Sequence, residues 1–241
     1  MNFYILKFNF LNMFNKNILS LLFFVTSSLF ILENGFSVGF SSCQSLTSGN
    51  YELSTSLNQT GADCLTISGT DVILDCQGYL ITGDGTNKGI YVTGNNASIV
   101  NCRIDNFTDG IYMLGTSGHN LVSNTITNSG GVGIYLISSS NNNISLNNIT
   151  NSFFQGIQVF SNSNNNLFYS NIINYNKEGI YFSNGVGNND VISNILNYNT
   201  NEGLYMYSSS NDLIISNEMK HNGRGISTVS YTHLRAHETD S

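Results

Sequence analysis

Proline and tryptophan are both absent from the 241 residues, and only 10% of the chain is charged. The first absence leaves no proline-rich spacer. Low charge beside 40% hydrophobic residues separates the chain from a disordered polyelectrolyte and supplies enough apolar surface for a core. Basic residues are scarce as well. Between Cys43 and Thr228 five Lys or Arg stand against twelve Asp or Glu, and the five are scattered. That leaves no phosphate-binding footprint, so nucleic acid is not an expected partner. His119 and His221 stand alone in different registers, and Arg103 is the only arginine before Arg224. Neither a metal cluster nor a nucleophile–base pair is visible, and no cofactor is expected.

A run long enough to span a membrane is missing too. The apolar stretch Ile18–Leu32 has 15 residues and includes Ser20, Thr26, Ser27 and Ser28, short of the roughly 20 that a spanning helix needs. Lys7 and Lys16 precede it, and the small residues Ser37 and Gly39 follow. This is the order of a secretory signal, so residues 1–39 are read as an export segment, with Met13 as an alternative start. The product is then secreted or displayed at the cell surface. Membrane contact is expected only through that segment or through an anchor outside the sequence. Phe40-Ser-Ser-Cys43 has the outline of a lipoprotein box, but Phe fits its first position poorly and lipidation is not expected.

Cysteine is confined to positions 43, 64, 76 and 102. An even number in an oxidising compartment suggests disulfides, and Cys43–Cys64 would close the N-terminal loop. Cys76 and Cys102 lie in similar segments, Leu74-Asp-Cys76 and Val100-Asn-Cys102, and either pair or stack as thiols; four buried thiols without bonds is the remaining alternative.

What the chain has in abundance is repetition. Gly followed by Ile or Leu recurs at Gly89, Gly110, Gly133, Gly156, Gly179, Gly203 and Gly225, in steps of 21 to 24 residues. Each but the last opens an alternating segment: Ile90 and Val92, Ile111 and Met113, Ile134 and Leu136, Ile157 and Val159, Ile180 and Phe182, Leu204 and Met206; Gly225-Ile-Ser-Thr228 keeps only the first apolar residue. Between the members of each pair stand Tyr91, Tyr112, Tyr135, Gln158, Tyr181 and Tyr205. Period-two alternation means strands with one buried face. A second rhythm places Asn124, Asn147, Asn171, Asn194 and Asn217 two residues before Ile126, Ile149, Ile173, Leu196 and Met219. Leu121, Ile144, Leu167, Val191 and Leu213 mark another strand upstream, and Asn-rich turns separate the strands. A unit of about 23 residues cannot close its own core. Stacked coils can, with parallel pairing between equivalent strands and asparagines laddered at a corner. The fold expected is all-β: a right-handed parallel β-helix of about seven coils over residues 40–228.

Cys64-Leu-Thr-Ile67, Val72-Ile-Leu-Asp-Cys-Gln-Gly78, Ile81-Thr-Gly83 and Gly89-Ile-Tyr91 resemble the first coils of NosD-like β-helix proteins, in the pectin-lyase-like superfamily. The later Asn-x-Ile and Gly-Ile-Tyr copies resemble its generic repeat, so the likeness runs from about Cys43 to Thr228. It implies the fold and says little of function; the partner expected is a polysaccharide or a cell-surface glycan. The superfamily's enzyme motifs, Asn-Thr-Asp and Gly-His-Gly of polygalacturonases and the clustered aspartates and basic residues of pectate lyases, are not found. The copper role attached to NosD-like names has no Cys, His or Met cluster to carry it. After Thr228 the rhythm stops. Residues 229–241 match one reading frame of a transposon-library adapter, so they are read as a non-native tail on a truncated repeat domain.

Two groups of residues invite a functional reading. Tyr91, Tyr112, Tyr135, Tyr181 and Tyr205 should point outward in one file, where they stack on sugar rings or on one another. Asp190 and Asp212, and Glu178 and Glu202, should fall on adjacent coils about 5 Å apart, a spacing that serves retaining glycosidases or a shared calcium ion. Solvated turn residues account for both acidic pairs equally well. The sequence therefore points to a non-catalytic, carbohydrate-binding, adhesive or structural β-helix. The alternatives are a fragment of a polysaccharide lyase or glycoside hydrolase, and an inert stalk.

Overall fold

The structure is a computed structural model that describes residues 37–230 and 235–237. The export segment expected over residues 1–39 lies outside this range except for Ser37–Gly39, which begin the first strand. Among the described residues every regular element is a strand. They form sheets of ten, nine and six strands, every pairing is parallel, and the chain visits the three in turn through about eight turns. The nine-stranded sheet holds the tyrosines and is called the tyrosine sheet below. Its first two strands, Gln44–Leu46 and Leu65–Ile67, pair onward to Lys88–Val92 but carry no Gly-Ile marker. The glycine rhythm therefore shows fewer coils than exist.

Side chains of one coil stack on those of the next. Ile90, Ile111, Ile134, Ile157, Ile180 and Leu204 form one inner column, and Val92, Met113, Leu136, Val159, Phe182 and Met206 another, all fully buried. The repeating glycine is a matter of space. A Cβ on Gly156 would stand 2.3 Å from the Ile173 Cγ2 and 2.9 Å from the Gly179 carbonyl oxygen, and Gly110 and Gly133 are hemmed in alike. Any larger residue would force the six-stranded sheet away from the tyrosine sheet.

In the ten-stranded sheet the inward column is Leu121, Ile144, Phe168, Val191 and Ile214. The sequence pattern had pointed to Leu167 and Leu213 in place of Phe168 and Ile214. Leu167-Phe-Tyr169 and Leu213-Ile-Ile215 are apolar throughout, so alternation cannot choose the inward residue there, and a one-residue slip exchanges the faces.

Each coil turns a corner on left-handed residues, mostly Asn or Ser, such as Ser170, Ser193 and Ser216. Their short polar side chains tolerate positive φ. Just inside stands the asparagine ladder. Asn147 donates from its backbone N–H (2.9 Å) and its Nδ2 (3.0 Å) to the Oδ1 of Asn171, and Nδ2 also reaches the Leu121 carbonyl oxygen at 2.9 Å. The same set repeats from Asn124 to Asn194, and Asn217 closes it. Two donors and two acceptor positions of each interior amide are used inside an apolar shell. Both remaining corners carry ladders that the sequence reading passed over: Asn142, Asn166 and Asn189 in one, and Asn176, Asn199 and Asn222 in the other.

The structure joins Cys43 to Cys64 and Cys76 to Cys102, with Cα separations of 4.6 and 4.7 Å. Cys76 and Cys102 are thus bonded to each other, where stacked thiols had been an open alternative. Arg235–His237, within the stretch expected to be a non-native tail, pair in parallel with Leu213–Ile215. An open edge offers backbone groups to any extended segment, so this pairing does not depend on the repeat sequence.

Asn171→Ala strands the Asn147 donors and the Ile144 carbonyl oxygen in the core. Urea unfolding should show a loss of at least about 3 kcal/mol, since each buried group left unpaired costs about 1–3 kcal/mol. A loss below about 1 kcal/mol would mean that the ladder carries little of the fold.

Candidate functional site

The tyrosine sheet presents three columns of side chains outward. At the strand starts stand Lys88, Asp109, Val132, Gln155, Glu178, Glu202 and Arg224. Next come Tyr91, Tyr112, Tyr135, Gln158, Tyr181 and Tyr205, in register and half-buried. The third column runs through Leu114, Ile137, Phe160 and Ser183, with Tyr207 on the coil below.

The rings of the central column touch one another. Tyr91, Tyr112 and Tyr135 meet edge to face at 5.6 and 5.3 Å, while Tyr181 and Tyr205 lie parallel at 5.0 Å. The Lys88 ammonium sits 5.0 Å from both the Tyr91 and the Tyr112 ring centres, and 3.8 Å from Asp63. Burial raises the Tyr112 and Tyr135 pKa values, helped by neighbouring phenols and by Asp109. Burial also raises that of Tyr181, with the Ser183 hydroxyl opposing the rise. These phenols therefore keep their protons as hydrogen-bond donors at neutral pH. Gln158 stands between Tyr135 and Tyr181 in the column and interrupts its ring contacts.

Beside that interruption a shallow groove of about 730 Å³ is lined by Phe160, Tyr181, Ser183 and Tyr207, with Asn162 and Asn184 at its turn. None of its lining residues is charged.

The acidic candidates separate. Asp190 pairs in register with Leu167 and Leu213 on the ten-stranded sheet, half-buried, and burial raises its pKa. Asp212 stands one row away, fully buried, accepting from the Asn189 backbone N–H at 2.8 Å and from the Ser209 hydroxyl. They do not share a row, for the same one-residue slip that displaced Leu213. Glu178 and Glu202 do start neighbouring strands of the tyrosine sheet, and each is engaged. Glu178 accepts from Gln155 Nε2 and Asn201 Nδ2, both at 2.7 Å, with the Lys177 ammonium at 4.0 Å; Glu202 faces Arg224 at 3.4 Å. Among the described residues no three His, Cys, Asp or Glu side chains gather closely enough to hold a metal ion.

His119 takes the first rung of the Asn142 ladder. Its Nδ1 accepts from the Ala97 N–H at 3.0 Å, its own N–H donates to Asn142 Oδ1, and its Nε2 is buried without a partner. His221 instead stacks on Tyr198 (4.7 Å), which stacks on Tyr175 (5.1 Å), at a corner where earlier coils place asparagine at positive φ. Phe153 and Phe154 are exposed nearby. This second aromatic patch was missed because its rings sit in corners, outside the strand alternation.

Three coiled parallel sheets with laddered corners define a right-handed parallel β-helix. The chain belongs to the family described as the right handed beta helix region, which matches residues 88–239. No curated protein matches it. Among solved structures it is similar to the mannuronan C-5 epimerase AlgE6 A-module of Azotobacter vinelandii (12% identity, TM-score 0.68), covering 83% of this chain and 64% of that one. It is also similar to the alginate lyase of a Paenibacillus species (13%, TM-score 0.56; 86% and 95%). A third likeness is the enzymatically active domain of tailspike protein 2 of bacteriophage CBA120 (13%, TM-score 0.63; 84% and 39%). The chain spans less than two thirds of the alginate epimerases' length, 59% of the periplasmic one. At these identities the likeness establishes the fold alone.

Burial lowers the His119 pKa to about 4, so the folded state holds it neutral. A depressed histidine pKa makes the unfolded chain bind the extra proton. Stability is therefore full above the unfolded value of about 6.5 and declines as pH falls from there towards 4. His119→Asn extends the ladder and removes that group, so its denaturation midpoint should fall less than the wild type's between pH 7 and pH 4.5. Parallel curves would exclude this role for His119.

Proposed function

We propose that this is an exported β-helix that binds a glycan along the outer face of the tyrosine sheet, without performing chemistry on it. The carrying observation is the half-buried tyrosine column running beside an uncharged groove lined by aromatic, amide and hydroxyl groups. Phenol faces and edges contact the apolar faces of sugar rings, while phenol, amide and serine groups satisfy the hydroxyls. Successive coils repeat these contacts about every 4.8 Å, which suits an extended chain better than a compact ligand. Two cystines in one short segment fit an oxidising compartment, and thus a secreted or surface location. The structurally similar alginate epimerases and alginate lyase are consistent with a polysaccharide partner.

The second reading, a fragment of a polysaccharide-modifying enzyme, draws on the same likeness and on Glu178, a buried carboxylate on this face. Incubation with alginate and polygalacturonate, followed by ultraviolet absorbance of unsaturated ends and by reducing-end assay, separates the readings. No product is expected. Product formation abolished by Glu178→Gln would replace the binding role with catalysis.

Retardation of the protein in gels containing soluble polysaccharides tests binding itself. At least one polysaccharide should retard the wild type, and Tyr135→Ala should weaken the effect about tenfold, equivalent to about 1.4 kcal/mol. Its unfolding free energy should fall only by the loss of ring packing, about 0.5–1.5 kcal/mol. No retardation in any gel, with Tyr135→Ala altering stability only, would sink the proposal and leave a structural stalk.

A further inference from the structure

From Leu114 to Val229 the third outward column of the tyrosine sheet is large on every coil except at Ser183; the earlier coils carry the small Ser68 and Thr93 there. Phe160 lies in register with Ser183 on the coil above, and Tyr207 holds the matching place on the coil below. Two coils separate Phe160 from Tyr207, about 10 Å along the stack. A puckered six-membered ring held between two flat faces needs about 7–8 Å, twice an ordinary carbon contact distance. The missing side chain thus opens a notch the height of one sugar ring, with Tyr181 beside it on the same strand.

The polar groups at the notch suit hydroxyls. Ser183 is 4% exposed, and its Oγ makes no hydrogen bond of sound geometry, although its approach to the Tyr181 phenol is, after burial, the main influence on that phenol's pKa and lowers it. A buried hydroxyl in that state gains from a ligand that donates to it or accepts from it. Asn162 and Asn184 expose amides at the rim, on left-handed turn residues.

Charge selects the ligand class. No lining residue is ionisable as a base or a carboxylic acid. The cations of this sheet stand at the strand starts, away from the groove, and each faces a carboxylate: Lys88 with Asp63, Lys177 with Glu178 and Arg224 with Glu202. The chain carries a formal net charge of −7. A polyuronate would enter with its carboxylates unpaired and against a repulsive field.

We infer that the Ser183 notch, between Phe160 and Tyr207, is a subsite for one uncharged pyranose of a neutral glycan. This rests on the glycan-binding reading above and narrows it: the alginates handled by similar folds are not this chain's ligand.

The test uses affinity electrophoresis of the full chain in gels containing galactomannan, xyloglucan, amylopectin, β-1,3-glucan, alginate or polygalacturonate. Ser183→Phe fills the notch with a side chain that the neighbouring coil already carries at this position, so the fold tolerates it; thermal melting checks that. At least one neutral glycan should retard the wild type, the two polyuronates should not, and Ser183→Phe should weaken retardation at least tenfold with an unchanged melting midpoint. Tyr207→Ala should weaken it as well, by removing one wall without closing the notch. Neutral-glycan retardation that survives both changes but is lost in Tyr135→Ala would overturn the subsite and leave the tyrosine face as the binding surface. Retardation by polyuronates alone would overturn the neutral class. No retardation in any gel would overturn the binding reading itself, and the subsite with it.

Discussion

The amide–amide hydrogen bond between asparagines of successive coils underlies everything else in this molecule. A coil of about 23 residues encloses one inward side chain on each short strand and two on the tyrosine-sheet strand, too few to hold three corners in place by packing alone. At the corners the backbone leaves strand geometry, and its N–H and C=O groups turn inward where water cannot reach them. An asparagine there is both donor and acceptor: it satisfies the N–H of the preceding coil and the carbonyl oxygen at that coil's strand end, and passes the pattern on. Because each rung needs the next one in register, the ladder fixes the coil-to-coil offset. With that offset set, inner isoleucines fall on isoleucines and outer tyrosines on tyrosines.

This division of labour leaves the outside of the sheets free to vary. Inner columns tolerate only apolar residues and ladder positions only Asn or a close substitute, as His119 and Asp212 show at the two ends of one ladder. The strand-start column of the tyrosine sheet, by contrast, runs Lys, Asp, Val, Gln, Glu, Glu, Arg with no effect on the fold. Binding specificity can therefore be written into outward rows, one residue per coil. On the proposed reading, the Gln158 gap among tyrosines and the Ser183 gap between Phe160 and Tyr207 would be two such entries on neighbouring coils.

Much of the fold was legible because its determinants recur. The Gly-Ile marker records a close approach of two sheets, and the Asn-x-Ile marker records a ladder and the inward residue after it. Legibility failed where residue type and position decouple. Leu167-Phe168 and Leu213-Ile214 offer two apolar residues for one inward place, and only the neighbouring coil decides between them. The same ambiguity put Asp190 and Asp212 in one row on paper, whereas one lies on the sheet face and the other inside a ladder. The Ser183 groove had no sequence signal at all. It is defined by the size of side chains 23 or 24 residues away on either side, which no local pattern reports.

Of the outer faces left free by the ladders, the tyrosine sheet around Ser183 is the one proposed to bind a neutral glycan. Hydroxyl-radical footprinting read by mass spectrometry, with and without a neutral polysaccharide that retards the protein, tests it most directly. Oxidation of Phe160, Tyr181 and Tyr207 should fall several-fold on addition of the polysaccharide, while Phe153, Tyr175 and Tyr198 at the other aromatic corner react as before. Protection at that corner with none at Phe160, Tyr181 and Tyr207 would contradict the account and move the binding face to the opposite end of the tyrosine strands.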